Sequence, residues 1–125
     1  MIYLDYNATT PVAREVAEAM MPFILEHFGN PSSSHSLGKS AKEALEKARG
    51  QVAELLGCAS SEIVFTSGGS ESNNTVLKGV AQRLSEKGRH IITTEIEHPA
   101  IFNPAIFLME NGWDVSFLPV DQFGS

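Results

Sequence analysis

The stretch SGGSESNN (67–74) follows the apolar run IVF and precedes a segment whose apolar residues recur at helical spacing. Gly68 and Gly69 allow positive φ and a close backbone approach, and Ser70 adds a hydroxyl in the first helical turn. A helix start supplies unpaired N–H groups and the positive end of a dipole, so such a turn can hold a phosphate without lysine or arginine. An ordinary Gly-Gly turn with Ser70 as N-cap uses the same residues, and both uses stay open on this stretch alone. It is neither a GxxxxGK[ST] loop nor a GxGxxG turn, and Lys78 lies too far down the helix to act as the lysine of the former. TEIEHPA (94–100) is the second candidate. Its His98 stands just before a proline-opened helix, where an imidazole could stack on a planar cofactor, move a proton near neutral pH, or simply cap the helix.

The elements that must position these groups follow from periodicity. Residues 2–4 suit a short strand, and Thr10-Pro11 suits a helix opening, followed by Val12, Val16, Met20, Phe23 and Ile24 at helical spacing with Pro22 expected to kink or shorten the helix. GNPSSSHSLG (29–38) has no period and reads as a surface loop of functional length. From Lys39 the period returns through Ala41, Leu45, Ala48, Val52, Leu55 and Leu56, with Gly57 suited to the C′ position. Residues 63–65 predict a strand buried on both faces, 70–87 a helix, 90–94 a strand, and 99–111 helical material interrupted by Pro104, with Asn103 capping a restart. Residues 115–120 predict a third strand ending in the turn DQFG. Strands alternating with helices imply right-handed crossovers and a mainly parallel sheet flanked by helices, an α/β fold. In such a fold ligands gather at the carboxyl ends of strands, which places SGGSES and His98 at one edge of the sheet. A turn that ought to lead into another element suggests a piece of a longer domain.

Composition narrows the function classes. With 42% hydrophobic and 19% charged residues in 125, the chain has the make-up of one soluble globular domain. A net charge of −6 argues against a nucleic-acid or anionic-membrane partner, since no basic stripe exists to neutralise phosphates. No apolar run approaches the roughly 20 residues that span a bilayer, and no secretory signal is visible, so a cytoplasmic location is expected. The single cysteine, Cys58, excludes an internal disulfide and has no basic neighbour to activate it, which makes it a bystander thiol. The four histidines lack the paired spacings of a zinc site, so no metal is expected.

Taken in order and at their separations, LDYNATTP, FGNPSSSHSLG, EIVFTSGGSESNN and TEIEHPA resemble the N-terminal part of the NifS/IscS-like cysteine desulfurases, pyridoxal-phosphate enzymes of fold type I in the class V aminotransferase group. The resemblance covers essentially the whole chain and implies the N-terminal part of the large domain of a fold-type I transferase, with 1–38 as an N-terminal helix and substrate-side loops and 39–125 as a partial cofactor-binding α/β domain. It implies pyridoxal 5'-phosphate as cofactor, L-cysteine as substrate, L-alanine and an enzyme persulfide as products, a homodimer, and a sulfur-acceptor or iron–sulfur scaffold protein as partner. By the same resemblance Gly69 and Ser70 bind the cofactor phosphate, with serine where the family usually has threonine. His98 is the catalytic histidine that stacks on the ring and helps move protons, and Ala8 and Thr9 lie near the substrate pocket.

The family's Schiff-base lysine follows a serine and a histidine, and none of Lys39, Lys42, Lys47, Lys78 or Lys87 stands in that context. The aspartate for the pyridine nitrogen, the arginine for the substrate carboxylate and the persulfide cysteine also belong to later family segments, and Cys58 does not replace the last of them. The expectation is therefore a desulfurase fragment that is inactive by itself. The alternatives are a selenocysteine lyase fragment or a noncatalytic α/β module that binds a phosphorylated ligand.

Overall fold

A computed structural model describes residues 2–125 as two compact units, one up to Val64 and the other Phe65–Ser125. The first unit holds helices α1 (Arg14–Leu25) and α2 (Ser36–Leu56) and a single 3-10 turn, Ser60–Glu62. The expected strand at 2–4 is absent, and α1 begins at Arg14 with Ala13 as its N-cap instead of opening at Thr10-Pro11. Pro22 sits inside α1 and does not end it, because it lies in the last turn, where few following residues depend on its geometry.

Helix α2 begins three residues earlier than its apolar period. His35 supplies the cap: its backbone carbonyl accepts from Lys39 N–H at 3.0 Å and its Nδ1 from Gly38 N–H at 3.4 Å. The loop before it is closed by backbone and by Asn30, whose Oδ1 accepts from Ser32 N–H and whose carbonyl accepts from Ser33 N–H. At the far end Gly57 adopts a left-handed φ of 69°, and Cys58 N–H reaches back to the Ala53 carbonyl at 3.0 Å, closing the helix as the glycine predicted. Residues beyond the 3-10 turn are extended but form no strand. Ile63 is half-buried, its carbonyl accepting from the Arg49 guanidinium, whereas Val64 is 74% exposed. The expected doubly buried strand fails here because a strand exists only with a ladder partner, and the sheet contains none for it among the described residues.

The second unit contains α3 (Gly69–Leu84), β1 (His90–Thr94), α4 (Pro99–Glu110) and β2 (Asp114–Leu118). The strands pair in parallel, His90 opposite Asp114 through to Thr94 opposite Leu118, with α4 as the crossover. This is the α/β arrangement the alternating pattern predicts. Its sheet has two strands among the described residues, since 63–65 does not join it. Helices α3 and α4 pack together, and Ala81 and Ala105, at 2% and 1% exposure, are small enough to let them approach. Leu108 is buried with them, and Phe102 lies 4.9 Å from Phe117 of β2, ring centre to ring centre.

Pro104 does not interrupt α4, and Asn103 caps no second helix. The proline ring costs one backbone hydrogen bond, but it is buried in the helix packing, and that tertiary gain holds the helix continuous.

After β2 the chain turns on Asp121. Its Oδ1 accepts from Phe123 N–H at 2.8 Å and Ser125 N–H at 3.0 Å, and these bonds, that from Ser125 first, hold its carboxyl below the usual range. A depressed carboxyl contributes its stabilisation above the unfolded value and loses it as pH falls through the folded one. Acidification below the ordinary carboxylate range should therefore open this turn. Hydrogen exchange of the Phe123 and Ser125 amides should accelerate relative to the chemical rate there, and Asp121→Asn should show the fast exchange at neutral pH.

Candidate functional site

The turn before α3 is held from behind by side chains of the helix's own first turn. Glu71 folds back so that Oε2 accepts from the Ser67 hydroxyl at 2.6 Å and from Ser67 N–H at 2.7 Å. These two bonds, the hydroxyl's first, hold the Glu71 carboxyl below its ordinary range, so it carries its charge at neutral pH. The Gly68 carbonyl accepts from Ser72 N–H at 3.1 Å, Ser72 Oγ at 3.2 Å and Thr66 Oγ1 at 3.3 Å, and the two hydroxyls lie 2.7 Å apart. Asn74 donates from Nδ2 to the Ser70 carbonyl at 3.0 Å.

These bonds use up the carbonyl of Gly68 and the donors of Ser67, leaving a different set facing outward. The N–H groups of Gly69, Ser70 and Glu71 have no acceptor among the described residues, as expected at a helix start. The glycines achieve this without the left-handed φ that their type allows, since Gly68 is in extended backbone and the left-handed glycines among the described residues lie elsewhere, at 57, 112 and 124. The surroundings are open: a Cβ placed on Gly68 or Gly69 would meet no atom within 4 Å. Three free amides, the Ser70 hydroxyl, open room and a dipole's positive end fit a phosphate monoester.

His98 is the N-cap of α4, its Nδ1 accepting from Ala100 N–H at 3.0 Å. That bond fixes the neutral ring with its proton on Nε2, a donor in place of a second acceptor. The capping role and the cofactor role, alternatives from sequence, are thus compatible on one ring.

A cavity of about 350 Å³ between α3 and α4 is lined by Ser70, Asn74, Lys78, His98, Pro99 and Asn103 among others. It brings together the two groups that sequence singled out. Lys78 also faces it, two turns beyond Ser70, with Nζ 4.4 Å above the Phe107 ring. A second cavity of this unit, lined by Val76, Val80, Leu84, His90 and Trp113 among others, is mostly apolar and offers an anion few donors. Ala8 and Thr9 belong to the first unit, in a turn closed by their N–H groups on the Asp5 carbonyl and by Tyr3 Oη on the Asp5 and Thr9 carbonyls. Cys58 is half-buried just past the end of α2. The role of Glu71 was not read from sequence. The signal for it was present, since Ser67 and Glu71 stand four residues apart across the helix start.

The profile described as aminotransferase class-V matches residues 2–125. The chain belongs to the class-V aminotransferase family. Among curated relatives of this class-V chain, a cysteine desulfurase IscS from Dictyoglomus turgidum is 54% identical over 123 residues, covering 98% of this chain and 31% of the relative. Among solved structures, a NifS-like protein superposes with TM-score 0.88 at 46% identity, over 96% of this chain and 33% of that one. A structure described as SspA in complex with cysteine gives TM-score 0.85 at 46% identity, over 93% and 33%. The class-V chain thus spans about a third of the length of these relatives.

Proposed function

We propose that this chain is the cofactor-phosphate side of a pyridoxal-phosphate-dependent cysteine desulfurase. The observation that carries the reading is that Ser70 and His98 line one cavity, in a chain matched along its length by cysteine desulfurases. Pyridoxal phosphate, when bound, supplies an electron sink for bond breaking at the amino acid's α- and β-carbons. Gly69 and Ser70 hold its phosphate through N–H groups and the Ser70 hydroxyl, and Asn74 steadies the Ser70 carbonyl behind them. His98 offers its ring face for stacking and Nε2–H as a hydrogen-bond donor, its orientation fixed by the Ala100 cap.

Cysteine is the substrate this reading favours, supported by the relative solved with cysteine bound. The products are L-alanine and a persulfide on an enzyme cysteine, destined for a sulfur-acceptor or iron–sulfur scaffold protein, and the complete enzyme is a homodimer. Ala8 and Thr9 serve the substrate side. No lysine here follows a Ser-His pair, and Cys58 sits at a helix end, so the covalent anchor and the persulfide thiol are assigned to other segments of the enzyme.

Titration with pyridoxal phosphate, followed by amide NMR, should shift Gly69, Ser70 and Glu71 together with the His98 ring, and no response at these residues would sink the reading. Incubation of the 125 residues with pyridoxal phosphate and L-cysteine should yield no alanine. Alanine formation would refute the assignment of the anchor elsewhere.

A further inference from the structure

We propose that Glu71 is a positioning residue for the phosphate cradle, its carboxylate setting the course of residues 67–69 by taking both donors of Ser67. The inference rests on the phosphate-binding reading above and deepens it. Three features of the geometry carry it. Both contacts converge on one carboxylate oxygen, at 2.6 and 2.7 Å, the short range of charge-assisted bonds. They fasten the residue immediately before the N-cap, so the carboxylate reaches one residue beyond the usual capping box, which ends on the N-cap itself. On the other side, Thr66 and Ser72 fasten the Gly68 carbonyl, so the peptide between Ser67 and Gly69 is gripped at both ends.

The consequence is a division of labour among donors. Ser67 N–H and hydroxyl are withdrawn from the ligand, while Gly69, Ser70 and Glu71 N–H remain free. Gly68 and Gly69 have no side chains to brace the loop and no neighbours within 4 Å of a Cβ position. Without the Glu71 tether, this exposed segment would have to be ordered by the ligand, which lowers affinity by the entropy of that ordering. A carboxylate near an anion site would ordinarily repel the anion. Its bonds to Ser67 leave that charge in place, so the tether has to outweigh the repulsion.

The test measures binding of pyridoxal phosphate and, separately, of inorganic phosphate by amide NMR, in the unsubstituted protein and in Glu71→Ala, Glu71→Gln and Ser67→Ala. Glu71→Ala should weaken both ligands by at least about tenfold, the loss of a charged hydrogen-bonding partner. Glu71→Gln keeps an uncharged acceptor and should recover part of that loss, with the Ser67 amide resonance moving from its place in the unsubstituted protein by less than in Glu71→Ala. Equal or tighter binding by Glu71→Ala would overturn the inference, tighter binding identifying Glu71 as a repelling charge. Should Glu71→Ala lose the α3 helix by circular dichroism, Ser67→Ala decides, because it removes one hydroxyl only: weaker binding supports the tether, unchanged binding refutes it. If the unsubstituted protein responds to neither ligand, the cradle reading itself falls, a result distinct from failure of the tether.

Discussion

Gly38→Ala should destabilise the first unit by about 1–3 kcal/mol, the range for forcing extra carbon into a packed site. Gly38 is buried, and a Cβ there would collide with the Ser33 carbonyl oxygen and stand 2.7 Å from that of Asn30. Both obstacles are backbone, so neither can swing aside. Relief would require the 29–38 loop to open, breaking the Asn30 turn and the His35 cap that start α2. Gly29 is as tightly placed in the same loop, its Cβ position overlapping the Leu37 carbonyl, so Gly29→Ala should do comparable damage and the double variant less than the sum. Gly50 provides the contrast. It lies within α2 with nothing within 4 Å of its Cβ position, and Gly50→Ala should stabilise by about 0.5–1 kcal/mol. Urea denaturation of the three single variants and the double checks the ordering, and a neutral Gly38→Ala would contradict the packing of the loop.

The second large effect concerns His98, whose two roles can be taken apart. His98→Ala should lose the cap of α4, about 1 kcal/mol, together with the ring. His98→Asn supplies a side-chain oxygen able to accept from the helix start, so its stability should stay within a few tenths of a kcal/mol of the unsubstituted protein. If the ring stacks on the cofactor and Nε2 helps move protons, both variants should weaken pyridoxal phosphate binding by about 0.5–1.5 kcal/mol, and turnover of cysteine by the complete enzyme should fall about 10²–10⁴-fold. Retained binding and turnover in His98→Asn would reduce the histidine to a cap.

Local signals were readable wherever a residue acts through its own backbone. Gly57 closes α2 as its type predicts, and the alternation of strand and helix delivers the parallel pairing of β1 with β2. Ser70 and His98 were found because each stands at an element start, where chain geometry exposes chemistry. Partnership was less legible. The apolar run at 63–65 has strand composition, but a ladder needs a neighbour that composition does not name. Pro104 carries a strong local penalty and is overruled by burial against the rest of its unit. His35 starts α2 through a ring nitrogen, a less common capping group than the hydroxyls and carboxamides that sequence patterns favour. At 67–69 the glycines allowed left-handed φ angles, whereas the structure keeps Gly68 extended and delegates the shaping to Glu71, Thr66 and Ser72.

The cradle's donors at residues 69–71 are uncharged, and Lys78, which lines the same cavity, stands two turns away over the Phe107 ring, which fixes how the cradle responds to ionic strength. A site built on lysine or arginine attracts a phosphate over a long range and weakens as salt screens that attraction. Here the long-range field comes from a chain of net charge −6, which repels a dianion, while the attraction resides in short hydrogen bonds that salt barely reaches. Added salt screens the repulsion together with the pull of Lys78 and leaves the short bonds intact, so this part of the site should lose less of its hold on a ligand with rising salt than a cradle built on lysine or arginine alone.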